Sequence, residues 1–268
     1  EQHLPRPRRV RRGDVRDDNL MASLLDEHDT IIPLAALVGA PACDRDRWTA
    51  EQVNYDAIET LITLVEPSHR IIFPNTNSGY GTTDGSPCTE GTPLNPISLY
   101  GQLKKAAESI LLSKHPNTVT FRLATVYGMS PRMRTDLLVN DLVWRAINDG
   151  SVCLYEPHYQ RNFVHINDVV LAFIFALENF EDMKGRCFNV GNDADNMSKL
   201  ALCQRIDGHV GNFLVAEVAG KDPDQRNYIV SSQRIYELGW KPLYTVDDGI
   251  AELIKGYRQF KKFHLGNV

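Results

Sequence analysis

The sequence predicts an α/β protein built on a doubly wound parallel sheet with a smaller second lobe. Strand and helix signals alternate through the first half of the chain. An apolar run at Ile71, Ile72 and Phe73 empties into small polar residues, as a buried parallel strand does at its carboxyl end. At 268 residues, 43% hydrophobic and 24% charged, the chain has enough core for one large or two interleaved domains.

In chain order, residues 8–13 read as a strand, 19–27 as a helix and 29–34 as an apolar strand. Residues 49–65 read as a helix with Asn54 near its start, 71–74 as a strand, 99–113 as a helix and 118–123 as a strand. This is the β-α-β rhythm of a parallel sheet. From Ser130 the rhythm breaks into a helix over 136–149, an extended piece ending LYEPHYQRNF, a helix over 167–179 and a tail rich in loops. The expected division is residues 1–128, with 161–190 returning to them, against a smaller lobe of 129–160 and 191–268. No internal repeat or low-complexity linker interrupts the chain.

Composition excludes several classes. Net charge is −5, and the basic cluster Arg6, Arg8, Arg9, Arg11 and Arg12 is local and lacks interleaved aromatics, so no nucleic-acid surface is expected. The first residues carry no apolar targeting core, and no apolar run approaches the roughly 20 residues that span a bilayer. A cytoplasmic protein without membrane contact is expected. Cys43, Cys88, Cys153, Cys187 and Cys203 form no Cys-x-x-Cys pair, so they read as reduced thiols, several of them buried. The eight histidines show no metal spacing, and no metal is expected. His165, in the apolar run FVHINDVV, reads as a hydrogen-bonded structural residue.

Chemistry concentrates in PISLYGQLKKAAESILL, where Tyr100 and Lys104 lie one helical turn apart. A free phenol has a pKa of roughly 10, and a lysine cation beside it favours the phenolate, a usable general base. That spacing alone is common in helices. Upstream, however, HRIIFPNTNSGYG places Thr76 and Ser78 at a strand's carboxyl end, where ligands of open α/β sheets lie.

A strand-end hydroxyl together with Tyr-x-x-x-Lys on the next helix resembles the short-chain dehydrogenase/reductase superfamily, in particular its extended branch of NAD-dependent nucleotide-sugar epimerases and dehydratases. The resemblance implies a Rossmann-like fold with NAD as cofactor. Counting from Phe73, it puts Thr76 on the catalytic hydroxyl, beside Tyr100 and Lys104, with Ser78 as the second candidate and a substrate contact. It places Asp14 and Val15 of VRRGDVRDD against adenine, and Leu34, Ala35, Ala36 and Asn54 along the cofactor. Thr125 and Val126 of FRLATVYG then meet nicotinamide and sugar, and Lys104 also meets the nicotinamide ribose. Asn140, Arg161 and Arg226 hold the nucleotide diphosphate or ribose, a task that suits an arginine fork.

The glycine-rich phosphate loop is not among the 18 glycines of this sequence, which begins where a third strand is expected. The resemblance thus implies a first β-α-β piece, on the order of 40 residues, lacking from it.

At finer grain IIPLAALVGAP, PNTNSGYG, TFRLATVYGMSPRMRTDLLVND and GKDPDQRNYIVS resemble enzymes that oxidise carbon 4 of GDP-linked heptoses and 4-epimerases of GDP-octoses or heptoses. A GDP-sugar is therefore expected over a UDP-sugar. Val38 stands where UDP-galactose epimerases commonly carry lysine. The implied chemistry has Tyr100 take the proton of the sugar 4-hydroxyl as hydride leaves carbon 4, with Thr76 holding the oxygen. The ketone is then reduced from its other face, released, or dehydrated. Dehydration asks for an Asp-Glu pair after the hydroxyl, where this chain has Asn77 and Ser78. A dehydratase, a reductase and a truncated non-catalytic nucleotide-binding relative remain the alternatives. The resemblance also implies a homodimer across the helices at 49–65 and 99–113.

Overall fold

The computed structural model describes residues 10–220 and 225–259, and its frame is a four-stranded parallel sheet. The chain approaches that sheet through α1 (Asp18–Leu25), capped by the Asp17 carboxylate, which accepts from the amides of Asn19 and Leu20. β1 (Thr30–Ile31) and an extended loop lead to α2 (Ala40–Arg45) and α3 (Arg47–Glu51). A widened π turn, Gln52–Asp56, joins α3 to α4 (Ala57–Leu64). β2 (Arg70–Thr76) runs into a short turn, Asn77–Tyr80, followed by β3 (Thr82–Cys88) and α5 (Leu99–Lys114). β4 (Thr118–Leu123) and β5 (Thr125–Tyr127) complete the first half.

The second half continues with α6 (Leu138–Asn148), β6 (Ser151–Tyr155), β7 (Gln160–His165), α7 (Ile166–Glu178) and α8 (Phe180–Met183). Then come β8 (Arg186–Val190), β9 (Asn192–Ser198), α9 (Lys199–Val210) and β10 (Leu214–Val218). β11 (Asn227–Val230), α10 (Gln233–Glu237) and α11 (Val246–Tyr257) close the described chain.

The main sheet runs β1-β2-β4-β8 with every pair parallel. Strand alternation sends Ile71 and Phe73 into one core with Leu61 of α4 and Leu111 of α5. Ile72 points the other way, into a core with Ala172 of α7 and Phe188 of β8. Helices therefore cover both faces, which is the doubly wound arrangement. β5, β7 and β9 form a second sheet, and β6 with β10 and β3 with β11 form parallel pairs. A third core, with Leu142 of α6, Ile206 of α9 and Leu253 of α11, sits under the later segments.

Several expectations change. Residues 10–13 carry no strand, and Arg8 and Arg9 lie outside the described residues, with Arg6 of the basic cluster. The strand over 29–34 contracts to Thr30–Ile31. Pro33 lacks a donor for the ladder, and the following loop is held by Asn54 instead. The helix over 49–65 is broken by the π turn containing Asn54. The tail is not loop-rich, because α9 starts on the Ser198 cap and α11 on a Thr245–Asp248 capping box. Within that tail, Ile235 and Trp240 pack into the core on the α7 face of the main sheet.

His165 is 1% exposed, with Nε2 2.5 Å from Glu252 Oε2 and its ring stacked on Tyr244. All five cysteines are free. Among the described residues, no cluster of three or more metal-ligating side chains occurs, and no helix is long and apolar enough to cross a membrane.

Candidate active site at the ends of β2 and α5

Ser98 caps α5 by accepting from the Gly101 amide at 3.2 Å, which sets the helix start at Leu99 and Tyr100 in its first turn. A Cβ at Gly101 would stand 2.9 Å from Pro96 Cβ and 3.5 Å from the Ser78 carbonyl oxygen. Glycine there lets the first turn of α5 lie against the strand-end turn. Tyr100, Lys104 and Glu108 recur every fourth residue, so the helix presents them as one stripe.

Among the described residues the Tyr100 hydroxyl and the Lys104 ammonium have no hydrogen-bond partner. Lys104 is 4% exposed and rests its Nζ 3.9 Å from the centroid of the Phe73 ring. Burial drops its ammonium from 10.5 to about 7, against an opposing pull from Glu108. Burial likewise pushes the Tyr100 phenol up to about 12, with Cys43 adding to the rise and Arg134 and Arg226 opposing it. This corrects the expectation that Lys104 lowers the Tyr100 pKa. Desolvation disfavours the charged form of both groups and is the largest cause of each shift.

Thr76 ends β2, and its Oγ1 accepts the Ser78 amide at 3.1 Å. The Thr76 and Ser78 hydroxyl oxygens are 3.0 Å apart. Arg226 donates through Nη1 to Ser78 Oγ, and Arg161, 2% exposed, donates through Nη1 to the Arg226 carbonyl. The structure thus brings Thr76, Ser78 and Arg226 together beside the first turn of α5, with Arg161 behind them.

The expected cofactor side is organised by Asn54. Its Oδ1 accepts the Leu37 amide and its Nδ2 donates to the Leu37 carbonyl, both at 2.8 Å. The widened turn of the backbone lets one buried amide pin the loop that carries Leu34, Ala35 and Ala36. Leu34 is 69% exposed, and Ala35 and Val38 are exposed with it. Asp14 is exposed and forked by Arg16, whose Nη1 reaches Gln52 Oε1 at 2.9 Å; the Arg16 hydrogen bonds hold its carboxyl down at about 2. Val15 is half-buried beside it, and Thr125 and Val126 lie half-buried on β5. Asn140 is 2% exposed and uses both ends of its amide within the fold, accepting from the Gly128 amide at 3.1 Å and donating to the Arg134 carbonyl at 2.8 Å.

Two features escaped the sequence reading. Arg134 forks onto Asp136 at 3.0 and 2.6 Å, and its Nη2 would lie 3.8 Å from a Cβ on Gly39, whose φ of +96° suits glycine. Behind the site, Glu108 accepts from Asn75 at 2.8 Å, Thr120 at 2.9 Å and Arg122 at 2.6 Å. Burial works against the Arg122 charge, yet this carboxylate holds its pKa above the ordinary value. The arginine inside the apolar strand TVTFRL was the available signal, since a buried charge requires a partner.

A parallel sheet with a strand-end hydroxyl against a Tyr-x-x-x-Lys stripe defines a short-chain dehydrogenase/reductase type of site. The chain belongs to the NAD dependent epimerase/dehydratase family, whose sequence profile matches residues 1–191. It is 26% identical to a dTDP-glucose 4,6-dehydratase of Actinoplanes sp., over 92% of this chain and 79% of that protein. It is 25% identical to a UDP-glucose 4-epimerase of Lactobacillus helveticus, over 93% of this chain and 84% of that one. In structure it resembles the Thermus thermophilus UDP-glucose 4-epimerase complexed with NAD, with TM-score 0.79, 21% identity and coverage of 96% and 86%.

The cofactor is NAD, and the residues present fit it. Lys104 offers a buried ammonium without an acceptor, as a ribose diol requires, and Leu34 and Ala35 offer an exposed apolar rim.

The Lys104 environment makes a prediction about stability. Its folded pKa lies below the unfolded value, so the unfolded chain binds more protons between about pH 7 and 10.5. The burial penalty is therefore full below about pH 7 and is relieved as pH rises through that window. Lys104→Met is expected to stabilise the fold near neutral pH by on the order of 2–4 kcal/mol and to remove this pH slope. Urea titrations of both proteins at about pH 6 and about pH 10 check it. A variant no more stable than wild type at the lower pH refutes it.

Proposed function

We propose that this protein oxidises carbon 4 of a nucleotide-linked sugar and either returns the ketone as the 4-epimer or releases it. The observation that carries the reading is the Tyr100–Lys104 stripe of α5 set against the Thr76 end of β2. In this reading Tyr100 removes the proton of the 4-hydroxyl and Thr76 holds that oxygen. Lys104 steadies Tyr100 and the ribose. NAD, when bound, supplies the acceptor for the hydride and its donor on return. Asp14, Val15, Leu34, Ala35, Ala36, Thr125 and Val126 line the cofactor, with Asn54 acting through the loop it pins.

Arg226 faces the nucleotide diphosphate or ribose, and Arg161, buried behind it, acts by holding the Arg226 carbonyl. Asn140 joins them in this reading by fixing the segment from Gly128 to Arg134. A groove of about 680 Å³, with Leu138, Leu154, Tyr155, Lys199 and Leu214 on its walls, lies between α6, β6 and β10 and offers room for the nucleotide base. Dehydration is disfavoured because Asn77 and Ser78 supply no carboxylate beside Thr76. The relatives reported above act by name on dTDP-glucose and UDP-glucose. For this chain the finer proposal is a GDP-linked heptose or octose, supported by the sequence phrases around residues 31–41, 74–81, 120–141 and 220–231, and a homodimer across the helical segments at 49–65 and 99–113.

The test is incubation with NAD and a panel of UDP-, dTDP- and GDP-linked sugars, following NADH by absorbance and carbon 4 by NMR. A 4-keto sugar or 4-epimer from a GDP-heptose is the expected product. A 6-deoxy-4-keto product would show a dehydratase, and no turnover across the panel would remove the enzymatic reading.

A further inference from the structure

The hydrogen bonds around Thr76 decide which way its hydroxyl proton points. Arg226 can only donate, so Ser78 Oγ is an acceptor from it. Ser78 is 4% exposed, and among the described residues the oxygen within reach of its own proton is Thr76 Oγ1, at 3.0 Å. Were Thr76 the donor of that bond, Ser78 Oγ would accept twice and its proton would be buried without an acceptor. Folded proteins avoid that arrangement.

With Ser78 as donor the count closes. Thr76 Oγ1 accepts the Ser78 amide at 3.1 Å and the Ser78 hydroxyl, which fills both of its lone pairs. Its proton is left to the open side, and Thr76 is the half-buried member of the pair. Arg161 holds the Arg226 carbonyl, which anchors the cationic end of the chain.

We propose that Arg226, Ser78 and Thr76 form a one-way donor relay that makes Thr76 an obligate hydrogen-bond donor to the sugar oxygen at carbon 4. This rests on the carbon 4 reading above. Charge grows on that oxygen as its proton leaves for Tyr100, and a donor whose orientation is already set stabilises it without reorganisation. The guanidinium polarises the two hydroxyls in series, so each bond strengthens the next. Ser78 is then a positioning residue that acts through Thr76.

Two measurements test the relay. In steady-state kinetics, Ser78→Ala is expected to lower kcat roughly 10- to 100-fold with KM within about twofold. Added to Thr76→Val it should lower kcat no further, because its effect passes through Thr76. If Thr76 were instead tied up as donor to Ser78, Ser78→Ala would free that proton and kcat would hold or rise; that result, or losses that multiply in the double variant, overturns the relay.

Neutron diffraction from deuterium-exchanged crystals of the protein reads the same question without substrate. Deuterium on Ser78 Oγ should point at Thr76 Oγ1, with the Thr76 deuterium toward the cleft. The reverse placement overturns the relay even if the enzyme proves active. A wild type that oxidises no sugar would instead overturn the carbon 4 reading, while the neutron map still decides the relay.

Discussion

Tyr100→Phe is expected to reduce sugar-dependent NADH formation by roughly a thousandfold or more while leaving the fold unchanged. The two halves of this expectation have separate causes. The phenol oxygen is the proton acceptor of the proposed step, and phenylalanine offers none. That hydroxyl also has no hydrogen-bond partner among the described residues, so its removal strands nothing. The stability change should stay within about 0.5 kcal/mol. The phenol, pushed up to about 12 by burial, is a poor base in the ligand-free protein. Arg134 and Arg226 already oppose that rise, in the direction catalysis needs. Single-turnover NADH formation measured beside a thermal melt checks both halves. Turnover within tenfold of wild type would remove Tyr100 from the proposed mechanism, and lost turnover with a collapsed melt would show a structural role instead.

Much of the fold was legible because its signals are local. The strand over 118–123 agrees to the residue with β4, and the helix over 99–113 falls one residue short of α5. Hydrophobic period and the Ser98 cap act within a few residues, so sequence carries them. The π turn was not legible, because its cause is Asn54 reaching Leu37, a contact across 17 positions. The contraction of β1 was legible in part, at Pro33, which cannot donate to the ladder. In the site, Tyr100, Lys104 and Thr76 stood out through spacing, whereas Arg134 and the Arg226–Ser78 contact depend on loops that return from far along the chain. The Tyr100 phenol moves up and not down for a related reason. Spacing shows that two groups are neighbours, but only the folded core shows how far both are removed from water.

Arg122→Ala is expected to destabilise the protein by about 3–5 kcal/mol, a large share of the roughly 5–15 kcal/mol that holds a domain folded. Arg122 and Glu108 are 6% and 3% exposed, and the guanidinium meets the carboxylate at 2.6 Å through Nη2 and at 3.0 Å through Nε. Removing the arginine leaves a buried carboxylate with only its bonds from Asn75 and Thr120. The same guanidinium donates to the Tyr80 hydroxyl at 3.1 Å, and Tyr80 in turn donates to Asn189 of β8 at 2.7 Å. One side chain therefore ties β4 to α5, to the turn after β2 and to β8. Replacing both charges, as Arg122→Met with Glu108→Leu, should recover most of the loss, because an apolar pair has no stranded charge. Urea unfolding of the single and double variants separates these cases. A double variant as unstable as Arg122→Ala would mean that the bonds to Asn75 and Tyr80, and not the ion pair, hold this layer together. Activity gives a second readout from the same proteins. Asn75 donates to Glu108 and accepts the Thr76 amide at 2.8 Å, so the ion pair supports the backbone that presents the Thr76 hydroxyl. The double variant is then expected to fold well and still turn over more slowly than wild type, since leucine at 108 leaves the Asn75 amide without its acceptor.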